Sequence, residues 1–184
     1  MRRAATAALG AMGVVALVWA AVAFADEINC GGGGQQCNGT PFDDTITGSS
    51  KKDGINAKGG NDGTYAGRGN DVVEAGDGND YVEGMKGDDK ISGGDGDDQF
   101  IIGGLFGGTG DDTVEGGDGA DDIYGQAGKD VLLGGPGDDQ LDGTGFGDGN
   151  TKDRINCGPG SDTAFANPKD RVDESCEDVI EETR

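Results

Sequence analysis

Residues 107–142 read GGTGDDTVE GGDGADDIY GQAGKDVLL GGPGDDQLD, four nonapeptides in unbroken succession. In each, the sixth residue is aspartate (Asp112, Asp121, Asp130, Asp139) and the eighth is apolar (Val114, Ile123, Leu132, Leu141). One apolar residue between mostly polar neighbours is the alternation of a very short strand with a single buried face. The glycine-rich first five positions then read as a turn that needs positive φ or close backbone approach.

The same register extends in both directions. From Gly39 the units GTPFDDTIT, GSSKKDGIN, AKGGNDGTY, AGRGNDVVE, AGDGNDYVE, GMKGDDKIS and GGDGDDQFI follow without a gap, and IGGLF separates the last from Gly107. Beyond Asp142, GTGFG precedes DGNTKDRIN and CGPGSDTAF, which end at Phe165. Thirteen units and two insertions of five therefore occupy residues 39–165. Position six is aspartate throughout, from Asp44 and Asp53 to Asp153 and Asp162, and position eight is apolar except at Thr64. This frame puts Phe100 in the core of the seventh unit. Repetition at a fixed short period means stacked, mutually dependent units rather than one globular core.

Composition sets the competing reading. With Asp+Glu 36 against Lys+Arg 14, a net charge of −22, 40 glycines and 5% aromatic residues, the chain also looks like a self-repelling disordered polymer. Such a surface repels nucleic acid and anionic membranes and attracts cations. The sequence contains no histidine and no GxSxG, and few residues lie outside the repeats, so an enzyme is not expected.

The first 25 residues, MRRAATAALGAMGVVALVWAAVAFA, combine Arg2 and Arg3 with an apolar run and small residues at Ala23 and Ala25, the pattern of a secretory signal peptide. A retained membrane anchor is the rival reading, and the Ala-Phe-Ala ending before Asp26 favours cleavage. The expected product is secreted, extracellular and free of a membrane span. Its four cysteines, in an exported chain with neither histidine nor CxxC, fit disulfides rather than a zinc site.

The units match the nonapeptide GGxGxDxUx, where U is apolar, and the chain resembles the RTX (hemolysin-type) calcium-binding repeat family. The resemblance implies an all-β fold, a right-handed parallel β-roll with two short strands and two calcium loops per turn. It also implies a ligand set of position-six aspartates: Asp62, Asp71, Asp80, Asp89, Asp98, Asp112, Asp121, Asp130, Asp139, Asp153 and Asp162. The first two units lack glycine at position four, so Asp44 and Asp53 are left out of it. In this arrangement aspartates are shared between units n and n+2, so that Asp80 joins Asp62 and Asp98, Asp71 joins Asp89, Asp112 joins Asp130 and Asp121 joins Asp139. The chemistry suits several Ca²⁺ ions, each taking six to eight oxygens from carboxylates and backbone carbonyls. No window satisfies an EF-hand. Because the apolar positions are few and small, the chain is expected to fold on binding calcium.

Six and a half turns at about 4.8 Å give a roll too long for cysteines at opposite ends to meet. Cys30–Cys37 and Cys157–Cys176 are therefore the expected pairs, with free thiols the competing reading. They belong to caps at 26–38 and 166–184, and the tail DESCEDVIEETR reads as a short helix. Tyr65, Tyr81, Ile101, Tyr124 and Phe165 fall on one sheet, either as isolated surface residues or as a stripe for sugar or protein. Three roles follow: a secreted calcium-binding structural or interaction module, a calcium-dependent adhesin for an extracellular protein or polysaccharide, or an accessory to a secreted hydrolase.

Overall fold

The computed structural model describes residues 26–31, 36–99, 104–145 and 151–182. The segment read as a signal peptide, residues 1–25, lies outside them. All regular structure among the described residues is strand. In chain order the strands are β1 (Glu27–Asn29), β2 (Gln36–Asn38), β3 (Thr45–Thr47), β4 (Gly54–Gly59), β5 (Gly63–Tyr65) and β6 (Val72–Asp77). Then come β7 (Tyr81–Glu83), β8 (Lys90–Asp95), β9 (Gly104–Thr109), β10 (Thr113–Asp118), β11 (Asp122–Ala127) and β12 (Val131–Leu133). The last are β13 (Gln140–Asp142), β14 (Arg154–Asn156), β15 (Thr163–Ala166), β16 (Arg171–Val172) and β17 (Asp178–Glu181).

Odd-numbered strands form a nine-stranded sheet and even-numbered strands an eight-stranded one, every pairing parallel. Each turn of this β-solenoid therefore takes one strand from each sheet. Position eight packs between the sheets: Ile46, Val82, Leu105, Ile123 and Leu141 from one side, Ile55, Val73, Ile91, Val114, Leu132 and Ile155 from the other, all at most 2% exposed. Thr64 is also buried in this row, with its hydroxyl left without a partner.

Four features differ from the sequence reading. First, the longer strands β4, β6, β8, β9, β10 and β11 run on through positions one to three of the next unit. Position one is thus a second inward row, filled by Ala57, Ala66 and Ala75 at 0% exposure. The turn proper is confined to the positions that follow, because a small side chain at position one still packs inward while position two turns the chain.

Second, the first insertion is placed differently. Leu105 pairs in register with Val82 and Ile123, so it occupies position eight of its turn. The five extra residues are then 99–103 rather than 102–106, and Phe100 falls at 100–103, outside the described residues. Both DQFI and GLF offer an apolar residue in strand context, and stacking on Val82 selects the second. The second insertion shifts similarly: Gly143 donates its N–H to Phe165 O as Gly84 does to Phe106 O, and Thr151 reaches Gly128 O. The excess there falls on 146–150, outside the described residues.

Third, the tail read as a helix contains β17, which pairs with β15 through Ala164↔Val179 and Phe165↔Ile180. An isolated twelve-residue helix is marginal, whereas the edge of β15 presents open backbone donors and acceptors. Strands in both flanks, β1 and β2 before Gly39 and β16 and β17 after Phe165, bring the coil to about eight turns. Both disulfides form as expected, Cys30–Cys37 and Cys157–Cys176, with Cα separations of 5.5 and 5.1 Å.

Fourth, the outward aromatics are not isolated. Tyr65–Tyr81 and Tyr81–Phe106 pack as tilted pairs and Phe106–Tyr124 stacks, with ring centroids 5.8, 5.4 and 4.8 Å apart. Phe106 takes the place in this row that the shifted frame had given to Ile101, which lies outside the described residues.

Candidate metal centre

The position-six aspartates lie where a strand begins, immediately after the loop, and this placement follows from the glycines around them. At position four Gly78, Gly96 and Gly119 have φ of +137°, +143° and +141°, and at position two Gly76, Gly94 and Gly117 have +119°, +122° and +129°. Only glycine adopts these angles freely. The alternation curls the loop tightly enough to turn the aspartate side chain inward, beneath the loop's own backbone.

All eleven aspartates of the expected ligand set are buried, at 0 to 3% exposure. They form two ladders, one along each edge of the roll, and neighbours in a ladder belong to units n and n+2. On the edge leading into the nine-stranded sheet, Asp62 N–H donates to Asp80 Oδ1 at 2.8 Å, Asp80 N–H to Asp98 Oδ1 at 2.6 Å, and Asp98 N–H to Asp121 Oδ1 at 3.0 Å. Asp121 N–H then donates to Asp139 Oδ1, and Asp139 N–H to Asp162 Oδ1. On the opposite edge the chain of donors runs Asp71 to Asp89, Asp89 to Asp112, Asp112 to Asp130 and Asp130 to Asp153. Both insertions are spanned without a break, the interval lengthening from 18 to 23 residues.

One oxygen of each carboxylate is thereby used; the other points into the loop. Oδ2 of Asp62, Asp71, Asp80, Asp89, Asp112, Asp121, Asp139 and Asp162 is buried and accepts no hydrogen bond. Where position one is glycine, Oδ2 lies against it: a Cβ added at Gly93 would sit 2.2 Å from Asp98 Oδ2, and one at Gly116 would sit 2.3 Å from Asp121 Oδ2. A buried carboxylate oxygen with no donor is strongly unfavourable unless it takes up a proton or a cation. Burial, the largest cause, pushes Asp98 up to about 8, Asp62, Asp89 and Asp139 to about 7, and Asp80, Asp112 and Asp121 to about 6. The backbone N–H of the preceding ladder aspartate opposes the shift, and nearby carboxylates add to it.

The first two units behave differently. Asp44 Oδ2 accepts from Thr40 N–H at 2.6 Å, and Asp53 Oδ2 accepts from Ser49 N–H at 2.6 Å. Their loops close on these aspartates, which satisfies the oxygen that stays open elsewhere. Asp170 Oδ2 is likewise held by Asn167 N–H at 2.7 Å.

Three residues that the nonapeptide frame does not reach end the ladders, Asp26 through its backbone N–H and Asp170 and Glu177 through their carboxylates. Asp26 N–H donates to Asp44 Oδ1, Asp153 N–H donates to Asp170 Oδ1, and Asp162 N–H donates to Glu177 Oε2. Asp170 and Glu177 sit at intervals of 17 and 15 residues, so a strict 18-residue turn conceals them. A second, exposed ladder was also legible only as a composition bias. Position-five Asp43, Asn61 and Asn79 side chains accept N–H from Asn61, Asn79 and Asp97, which explains why Asp and Asn recur there.

Among the described residues no three carboxylate or thiolate side chains converge on one point. A cation on these ladders would meet one or two carboxylates and complete its shell from main-chain carbonyls. That mixed, all-oxygen and adaptable shell is the preference of Ca²⁺; Mg²⁺ demands stricter octahedral geometry and retains water.

Parallel strands one turn apart, glycine-bent loops and buried aspartate ladders define a repetitive oxygen-donor β-solenoid. A family model described as the RTX calcium-binding nonapeptide repeat matches residues 38–73, 74–104 and 106–141, and the chain belongs to that family. No curated protein matches it by sequence.

Proposed function

We propose that the mature chain is an exported calcium-binding structural module whose roll closes when Ca²⁺ occupies the two aspartate ladders. Asp62, Asp71, Asp80, Asp89, Asp98, Asp112, Asp121, Asp130, Asp139, Asp153 and Asp162 would hold the ions together with loop carbonyls. The observation that carries this reading is the row of buried Oδ2 atoms without donors. Calcium supplies the positive charge that such oxygens need and cancels the repulsion between neighbouring carboxylates. Membership of a calcium-binding repeat family supports the choice of ion. The module has no catalytic role of its own: the sequence lacks histidine, and its buried carboxylates are the ones calcium takes. Export is supported by the N-terminal pattern and by two disulfides.

The test is circular dichroism at about pH 8, at the upper end of the folded carboxyl values, in EDTA and then in millimolar calcium, with metal content counted on the dialysed protein. A β signal that appears only with calcium, with several ions per chain, is expected. The same β signal in both conditions, or fewer than two ions, contradicts the proposal.

A second reading, calcium-dependent adhesion to a glycan or protein, draws on the ring row Tyr65, Tyr81, Phe106 and Tyr124. Glycan-array binding that is present in calcium and lost in EDTA, and lost again in Tyr65→Ala/Tyr124→Ala, would establish it.

A further inference from the structure

The two edges of the roll carry opposite charge. Loops running from the nine-stranded to the eight-stranded sheet present Lys51, Lys52, Arg68, Lys86, Lys129 and Lys152, all exposed, with two exposed acids, Asp88 and Asp111, among them. Loops and strand ends running the other way present Asp43, Asp77, Asp95, Asp97, Asp118 and Asp138, also exposed. The acidic edge holds one base, Lys58, whose Nζ is turned back onto Gly39 O. In a chain of net charge −22, a row of bases confined to one edge is not what composition alone produces. The side chains of Arg68, Lys86 and Lys129 make no ion pair or hydrogen bond among the described residues.

The edges also match in level. Arg68 precedes β6, which ends at Asp77; Lys86 precedes β8, which ends at Asp95 with Asp97 beyond it; Lys129 precedes β12, which leads to Asp138. Arg68 and Lys86 lie one turn apart through an isolated parallel bridge, as do Asp77 and Asp95 through the β6–β8 register. Two rolls laid side by side in the same direction, without axial shift, therefore place Arg68 against Asp77, Lys86 against Asp95 and Asp97, and Lys129 against Asp138. Other levels do not match: Asp111 lies opposite Asp118, Lys51 and Lys52 lie at the level of Lys58, and exposed Asp88, beside Lys86, shares its level with Asp95 and Asp97.

We propose that this chain associates laterally with further copies of itself, the basic edge of one roll on the acidic edge of the next. The contact is heterologous, so it propagates as an open row rather than closing as a dimer. The proposal rests on the calcium-loaded reading above: calcium on the buried ladders removes much of the net repulsion and leaves the edge charges to choose the partner. Opposed rows of this kind give orientation and register and weaken with salt.

The test is sedimentation velocity on the mature chain in millimolar calcium over a range of protein concentrations. At low ionic strength the weight-average mass should rise with concentration, and about 1 M NaCl, where the screening length falls to about 3 Å, should return it to that of one chain. Arg68→Asp/Lys86→Asp/Lys129→Asp makes both edges acidic and should stay monomeric. Asp77→Lys/Asp95→Lys/Asp138→Lys makes both basic and should also stay monomeric. Mixing the two should restore association, which a merely damaged surface would not do. Lys86→Asp and Asp95→Lys serve as the single-site pair if a triple variant does not fold. A wild-type chain that remains monomeric at low salt, association indifferent to both reversals, or a monomer that assembles only on added dextran sulfate through its basic edge would each overturn the proposal. Circular dichroism on the same samples separates the two readings, since absence of a calcium-induced β signal counts against the calcium reading and not against the edges.

Discussion

Asp98 concentrates the chemistry of the site in one side chain. Its Oδ1 accepts from Asp80 N–H, its Oδ2 lies against Gly93, where an added Cβ would sit 2.2 Å away, and burial pushes its pKa up to about 8. Without calcium, the rolled chain therefore binds protons that the unfolded chain, with carboxyl groups near pH 4, has released. Stability of the metal-free roll is fully present below about pH 4 and is lost as pH rises through the folded values near 6 to 8. In EDTA, the β signal should thus be strongest near pH 4 and decline toward pH 8, and adding calcium at pH 7 in weak buffer should release protons. A flat profile with no proton release would count against buried, cation-seeking carboxylates.

Glycine demands are equally local. At Gly94, φ is +122° and a Cβ would lie 2.0 Å from Gly76 O, so Gly94→Ala meets both a forbidden angle and a backbone clash. The angle alone costs roughly 1–3 kcal/mol. Gly54 has open space around its Cβ position and no positive φ, so Gly54→Ala should stay within about 0.5 kcal/mol of the parent. Urea midpoints in saturating calcium measure both.

The element that tests the fold is β9. Its Leu105 is fully buried between Val82 and Ile123, although the nonapeptide frame assigns that role to Phe100. Leu105→Ala should cost about 2–5 kcal/mol, as for other buried leucines. Deleting residues 99–103 restores the 18-residue interval between Asp98 and Asp121 and should leave the calcium-loaded stability nearly unchanged, since a loop of this length adds little closure entropy. Thermal melts of the two variants should therefore separate widely; similar losses would place the insertion elsewhere.

Over the whole molecule, stability is a sum of turns, each leaning on its neighbours, so the ends are where it begins to fail. Cys157–Cys176 ties β16 and β17 to the last complete turn, and Cys157 itself fills a position-one site at 0% exposure. Cys157→Ser/Cys176→Ser should lower stability by roughly 3 kcal/mol. Amide exchange should rise first in β16 and β17 while the strands around Ile91 keep their protection. Uniform loss across the roll would instead indicate a single cooperative block.

The two alternating sheets were what the family resemblance implied, while nine-residue recurrence by itself determined the stacking of units, the inward row at position eight and the aspartate row at position six. Those are properties of period and side-chain direction, and each unit states them locally. Tertiary structure decided what local pattern leaves degenerate. Phe100 and Leu105 both follow a plausible turn, and stacking on Val82 separated them. The Asp178–Glu181 segment became a strand because β15 offered it an open edge. Asp26, Asp170 and Glu177 could join the ladders only because the coil continues past the repeats, and the basic and acidic edges exist only once alternate loops are sorted to opposite sides. A sequence encodes the unit; which units share an edge, and therefore which charges act together, is set by the coil that stacks them.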